Sequence, residues 1–330
     1  MPKKKIQETL EKEIYPYLAS DIRSSLKEIP NSFWDQAEEI RLRMDKPLML
    51  VLGHGDYLTS TLVNREDIHK TLQLMSRSSL YALEEELRNG YLTLPGGHRV
   101  GVVGQGVVEH GKIKTLKNIS GFNLRISREV KGAADQLIPY LLNPEEHGVY
   151  HTMIISPPQG GKTTLLRDIA RQLSDGRKDL NLPGMKVGIV DERSEIAACF
   201  RGVPQRDVGL RTDVLDACPK AEGMMMLIRS MSPQVIITDE VGRLADVEAI
   251  EEGVNSGVKI IASVHGSKME DLEKRPSLLR LLENGIFERF VFLERKNGTG
   301  KIEKILDEKG KLIIQEKSLS LVQKGGENCG

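Results

Sequence analysis

The sequence predicts an α/β protein in which a mostly parallel sheet flanked by helices follows a smaller α+β domain. Three observations carry this. The chain has 330 residues, more than the roughly 100–200 of one ordinary domain. Beyond Gly148, short apolar runs alternate with helical patterns, as when strands return in parallel through helical crossovers. Before it, paired apolar-alternating segments separated by turn residues mark antiparallel ribbons. The expected organisation is residues 1–127 as the α+β domain, 128–148 as a linker, 149–310 as the α/β domain and 311–330 as a tail.

Taken in order, Ile6, Leu10, Ile14, Leu18, Ile22, Leu26 and Ile29 recur at spacings of three and four. They form one apolar helical stripe that Pro16 kinks or divides. In Glu38–Leu52, Ile40, Leu42 and Met44 alternate with Arg41 and Arg43, which predicts a strand, a turn at Asp45–Pro47 and a second strand. Helices are expected around Arg65–Met75 and Leu80–Arg88. Leu94–Val108 reads as a glycine-rich hairpin, and Gly121–Ser127 as one more strand. Arg128–Gly148 reads as a helix plus the linker, marked by Pro139 and Pro144. The second half then gives strands at Val149–Ser156, Lys186–Val190, Gln234–Thr238 and Val258–Val264. Between them lie helices at Thr163–Leu173, Ala221–Met231 and Leu244–Ser256. Phe287–Ile314 shifts to period two with turns at Asn297-Gly298 and Glu308–Gly310, which predicts a β-meander.

Composition excludes several classes. No apolar run approaches the roughly 20 residues of a membrane span, and the Lys3–Lys5 start lacks an apolar signal core. Lys plus Arg and Asp plus Glu both total 47, and aromatics are 4%. That leaves no strong nucleic-acid signal, which needs a basic surface and stacking rings. The three cysteines lack metal-ligand spacing, and a reducing, cytoplasmic compartment is expected.

The sharpest motif is Ser156-Pro157-Pro158-Gln159-Gly160-Gly161-Lys162-Thr163-Thr164. It matches the Walker A pattern G-x-x-x-x-G-K-(S/T) except at its first position, and it stands between an apolar strand and a helix. Glycines without a Cβ let backbone N–H groups wrap a phosphate, and the helix start adds its free N–H groups and positive dipole end. Lys162 would reach the β- and γ-phosphates of ATP, the Thr163 hydroxyl would bind Mg2+, and Thr164 would add a backbone N–H. The run Val235–Thr238 ends in Asp239-Glu240, the Walker B form. Asp239 is expected to hold the magnesium, and Glu240 to orient or deprotonate the attacking water. Carboxylates at the C-terminal tip of a parallel strand sit where open α/β sheets bind ligands. Asp191, Glu192 and Glu195 end another apolar strand. They either face the nucleotide or form a solvated loop in which Arg193 pairs internally. Ser263 or His265, at the tip of a third strand, is placed to sense the γ-phosphate.

The order SPPQGGKTT, VDERSE, IRSMSPQVIITDEVG and GVKIIASVHG resembles the type II and type IV secretion-ATPase superfamily. More specifically, EEIRLRMDKPL, GGHRVGVVG, NLRISRE and VPQRDVGLRTDVLDACPKAEGM resemble its stage III sporulation AA branch. The resemblance implies a RecA-like P-loop ATPase that uses ATP and Mg2+ and assembles as a homohexamer. It further implies a position on the mother-cell side of a developing endospore. There such a motor would energise a channel, or its assembly, through membrane-protein partners. Two departures stand out: Ser156 replaces the general first glycine, and the acidic stretch lacks the superfamily's E-D-P order.

Phosphoryl transfer calls for a cation on the transferred oxygens, which a neighbouring subunit can supply. Arg99, Arg125, Arg128, Arg211, Arg229 and Arg243 are the candidates. Two alternatives stand beside the motor: a RecA-like nucleic-acid translocating ATPase, and a nucleotide-gated scaffold without turnover.

Overall fold

The computed structural model describes residues 6, 8–76, 87, 90–146, 148–296 and 299–315. The chain divides into two compact units, Met1–Arg128 and Glu129–Gly330.

The first unit holds a six-stranded antiparallel sheet. Its strands are β1 (Ala37–Arg43), β2 (Pro47–Leu52), β3 (Gly55–Leu62), β4 (Tyr91–Leu94), β5 (His98–Glu109) and β6 (Lys112–Arg125), in the order β3-β2-β1-β6-β5-β4. Ile40 and Leu42 of β1 are fully buried while Arg41 and Arg43 keep partial exposure, so period-two alternation sets the register. The apolar stripe of residues 6–29 is buried along its whole length. It breaks beside Pro16 into a π-helical turn (Leu10–Ile14), a 3-10 turn (Tyr15–Tyr17) and α1 (Ser20–Lys27). α2 (Arg65–Ser76) forms where expected, and the helix expected around Leu80–Arg88 lies largely outside the described residues.

Two expectations change here. The glycine-rich hairpin is one arm of a longer ribbon: β5 runs to Glu109, turns at His110-Gly111 and returns as β6 through the strand expected at Gly121–Ser127. Glycines carry no side chain, so they erase the alternation that would have fixed the turn. β3 was not foreseen, because much of its surface is exposed and its pattern is polar.

The second unit is built on an eight-stranded sheet. Its strands are β7 (Thr152–Ser156), β8 (Val187–Asp191), β9 (Thr212–Asp216), β10 (Val235–Thr238), β11 (Lys259–His265), β12 (Arg289–Lys296), β13 (Thr299–Asp307) and β14 (Leu312–Gln315), in the order β9-β8-β10-β11-β7-β12-β13-β14. The first six in that order are mutually parallel; β13 and β14 are added antiparallel. β7, β8 and β10 are buried at every residue, hence their unbroken apolar runs. α3 (Lys162–Asp175) packs into one core layer with Leu165, Ile169 and Leu173. α4 (Lys220–Met231), α5 (Leu244–Asn255) and α6 (Pro276–Glu283) supply Leu227, Ile250 and Leu281 to the other.

Residues 128–148 are not a helix plus a free linker. They contain one helical turn, Ile138–Leu141, and a small ladder between Leu142–Asn143 and Gly148–Val149. Ala134, Leu137, Ile138 and Leu141 are fully buried with Leu165 and Ile169, so the segment is part of the second unit's core. The expected meander continues past residue 310 as β14, and residues 316–330 lie outside the described residues. The meander turn at Asn297-Gly298 does too; that at Glu308–Gly310 is present, with Gly310 at φ 73°. The edge strand β9, with its half-polar sequence, was also unforeseen.

His151, just before β7, shows how tightly this sheet is tied. The Ile260 N–H donates to its Nδ1 at 3.1 Å, so the ring must be neutral, and burial pulls its pKa down to about 4. The unfolded chain titrates this group near 6.5. The unfolded state therefore takes up the proton first as pH falls, and stability is lost from about 6.5 to 4, by up to roughly 1.4 kcal/mol per unit. Urea unfolding across that range is expected to show the loss. His151→Gln, which keeps an acceptor but cannot charge, is expected to flatten it.

Candidate functional site

The C-terminal ends of β7, β11 and β10 lie side by side, and each contributes to one cluster. The loop after β7 is the phosphate-loop motif. Gly160 is required there: a Cβ would stand 2.1 Å from Ser156 Oγ and 3.0 Å from the Pro157 carbonyl oxygen. Ser156 itself is fully buried and its hydroxyl donates to the Pro157 carbonyl at 2.9 Å. The departure from the first glycine is thus absorbed beneath the loop, against Gly160. Gln159 adopts φ 59°, a left-handed conformation that costs a non-glycine residue about 1 kcal/mol or more. Its side-chain oxygen accepts from Arg295 Nη1 at 2.8 Å. Gly161 caps α3 at φ 84°, and Lys162, Thr163 and Thr164 open that helix.

Lys162 is 6% exposed, and burial lowers its pKa against the pull of Glu240, Asp239 and Glu195. Its Nζ lies 3.0 Å from His265 Nδ1, and His265 Nε2 lies 2.7 Å from Glu240 Oε1. With Lys162 donating to Nδ1, the imidazole carries its proton on Nε2 and donates it to Glu240. The expected site residues Lys162, His265 and Glu240 therefore form one continuous chain. Glu240 has φ 46°, and its N–H donates to Ser263 Oγ at 3.1 Å. Ser263 is fully buried and holds the Glu240 backbone, so of the pair proposed at this strand tip only His265 reaches the cluster.

Asp239 is 2% exposed, and its Oδ1 has no hydrogen-bond partner among the described residues. Burial, with Asp191 nearby, raises its pKa to about 7. An orphaned, desolvated carboxylate is what a cation-holding position requires. No group of three or more His, Cys, Asp or Glu suited to a metal occurs among the described residues. A magnesium ion held by one carboxylate, one hydroxyl and substrate phosphates needs none. Asp239 and Thr163 fit that role.

The acidic loop after β8 divides in function. Asp191 is fully buried, and its two oxygens accept the N–H groups of Glu195 (2.8 Å) and Ala197 (2.9 Å). It shapes the loop, and desolvation lifts its pKa to about 6. Glu192 pairs with Lys220 and, at 3.4 Å, with Arg243. Sequence reasoning missed two residues. Arg167 of α3, 7% exposed, donates to the Glu195 carbonyl at 2.7 Å and to that of Ile196, tying the loop to the phosphate-loop helix. Arg193 donates to Glu240 Oε2 at 2.6 Å. The sequence suggests for Arg193 only a pair within its own loop; its partner instead lies across the sheet, since β8 and β10 are adjacent only in space.

The arginines expected to supply a cation are largely occupied. Arg128 donates to the carbonyls of Trp34, Asp35 and Ala37, Arg99 stacks on Tyr91 and Arg125 pairs with Glu39. Arg211 donates to the Ser174 carbonyl, Arg229 is exposed on α4 and Arg243 reaches Glu192.

This sheet order defines a RecA-like fold, and solved structures of ATPases share it. The Legionella pneumophila ATPase DotB superposes with a TM-score of 0.55 at 15% identity, covering 82% of this chain and 77% of that one. The pilus retraction motor PilT with bound ADP gives 0.55 at 14% identity, covering 90% and 83%. The model of the family "Sporulation stage III, protein AA" matches residues 8–313, and the chain belongs to that family. Stage III sporulation protein AA of Bacillus subtilis (strain 168) is 48% identical over 301 residues, 91% of this chain and 96% of its own. No helix among the described residues is long and apolar enough to cross a membrane.

The raised pKa of Asp239 carries a sign. A carboxyl group raised on folding favours the native state while protonated, so the ligand-free protein loses stability as pH climbs from about 4 through about 7. At pH 8, Asp239→Asn is expected to raise the melting temperature of the ligand-free protein by roughly 2–4 °C per kcal/mol recovered. The same change is expected to abolish the extra stabilisation that magnesium adds to ATP, which calorimetry with and without EDTA will read. Gly160→Ala, by contrast, is expected to weaken ATP binding at least about tenfold through the clash with Ser156.

Proposed function

We propose that this chain is a magnesium-dependent ATPase that splits ATP into ADP and phosphate. On this reading it works as a homohexameric motor energising a secretion-like channel, or its assembly, during endospore formation. The observation that carries the ATPase reading is the unbroken contact chain Lys162–His265–Glu240 at the tips of neighbouring parallel strands. It brings a phosphate-seeking cation and a carboxylate base to one place.

The loop Ser156–Thr164 wraps the phosphates with its N–H groups, and Lys162 leaves His265 for the β- and γ-oxygens. Asp239 and Thr163 would hold the magnesium, which would supply positive charge to the phosphate oxygens. Glu240 orients the water and accepts its proton, and His265 donates to Glu240 and keeps that carboxylate facing the γ-phosphate. The family membership and the motor proteins sharing the fold support the sporulation and hexamer parts. Membrane-protein partners belong to the same reading. A cytoplasmic, mother-cell position follows from the same reading.

Two variants test it. Lys162→Ala is expected to weaken ATP binding by at least about tenfold, because it removes a buried charge that meets the phosphates. Glu240→Gln is expected to bind ATP normally and to release phosphate about 100-fold more slowly or worse. Phosphate release unchanged in Glu240→Gln, or absent from the unaltered protein while ATP still binds, would turn the reading into a nucleotide-gated scaffold. DNA-stimulated, salt-sensitive turnover would turn it into a nucleic-acid motor.

A further inference from the structure

We infer that Arg193 is the arginine of this site: it clamps Glu240 while the site is empty, and it moves onto the γ-phosphate oxygens of ATP in the same subunit. The inference rests on the ATPase reading and deepens it, since it removes the need for a neighbour's arginine.

The argument starts at the Glu240 carboxylate. Oε1 accepts from His265 at 2.7 Å and Oε2 accepts from Arg193 at 2.6 Å. Each donor fills one of the carboxylate's lone-pair positions, and the position that a departing donor vacates is open to water. The two donors differ in freedom. His265 ends the buried strand β11 on a short side chain that is 37% exposed. The Arg193 side chain is 55% exposed, and its guanidinium pairs with nothing but Glu240 among the described residues. Arg193 is the donor that can leave.

The backbone beneath it does not move with it. Asp191 accepts two N–H groups of the loop, Arg167 holds the Glu195 and Ile196 carbonyls, and Ser194 Oγ donates to Asp216 at 2.6 Å. Only the side chain needs to rotate. It exchanges one carboxylate for a phosphate group with more negative charge and more acceptor oxygens, which a guanidinium fork can grip in pairs. The exchange frees Glu240 Oε2 for the water at the moment the cation reaches the phosphate.

Arg193 transfers no atoms. Water oxygen bonds to the γ-phosphorus as the bond to the β–γ bridging oxygen breaks. The water proton passes to Glu240, ADP leaves with the bridging electrons, and Arg193 offsets the charge spreading over the γ-oxygens.

The test uses the full chain with saturating ATP and magnesium. Arg193→Ala is expected to lower kcat at least about 100-fold, the usual cost of removing a transition-state donor, with ATP affinity falling far less, because the Glu240 pair that Arg193 gives up offsets its ground-state grip on ATP. Arg193→Lys is expected to recover part of the rate. ADP with magnesium and aluminium fluoride is expected to bind the alanine variant about 100-fold more weakly, while ADP alone binds as before; a merely structural role would not separate the two. Finally, Arg193→Ala mixed with Glu240→Gln is expected to regain nothing, because each mixed site still lacks one of its own residues. Turnover restored by mixing, or an alanine variant within threefold of the unaltered rate, overturns the inference and leaves the ATPase reading intact. If the unaltered chain binds ATP and releases no phosphate, the ATPase reading itself falls, and the inference with it.

Discussion

Neighbouring strands in a sheet lie about 4.8 Å apart, and that spacing governs this site. The phosphate loop follows β7 and the acidic pair follows β10, with β11 between them. The tips of β7 and β10 are consequently roughly two strand spacings apart, about 10 Å, and what remains between the Lys162 and Glu240 side chains is beyond one hydrogen bond. An imidazole fills such a gap: it is rigid, and its two nitrogens face opposite ways. His265 does so because β11 runs far enough for His265 to lie level with Ser156, the residue that begins the loop. The interposed strand turns two separate motifs into one electrostatic unit.

Around this unit the protein buries charge and leaves part of it unbalanced. Lys162, Asp239 and Asp191 are each less than a tenth exposed. Asp191 is compensated by backbone N–H groups; Asp239 Oδ1 is not. The two aspartates end adjacent strands and look alike in sequence, yet one is spent on loop geometry and the other is left wanting a cation. Hydrogen bonding separates a shaping carboxylate from a binding one where burial alone does not.

Much of this was legible in the sequence, for identifiable reasons. β7, β8 and β10 are covered on both faces and read as continuous apolar runs, and the glycines and lysine of the loop have a spacing that phosphate geometry dictates. What stayed hidden was of two kinds. Elements without a strong pattern were missed or misdrawn: β3 and β9 are half polar, the glycine-rich β5 lacks side chains to alternate, and residues 128–148 bury their apolar groups without helical regularity. Contacts across the sheet were hidden for a different reason. Arg193 and Glu240 are 47 positions apart, as β8 and β10 become neighbours only once the sheet has its order. No local spacing announces such a pair.

Ser156 and Gly160 share a single pocket of space beneath the phosphate loop, with room for one hydroxymethyl group and not for a methyl beside it. Evolutionary drift at the two positions is therefore ordered. The Ser156 hydroxyl must first be lost or turned aside before a side chain can settle at 160, where the Pro157 carbonyl oxygen still stands 3.0 Å away. The serine that looks like a lapse from the motif thereby acts as a ratchet, keeping its glycine partner in place.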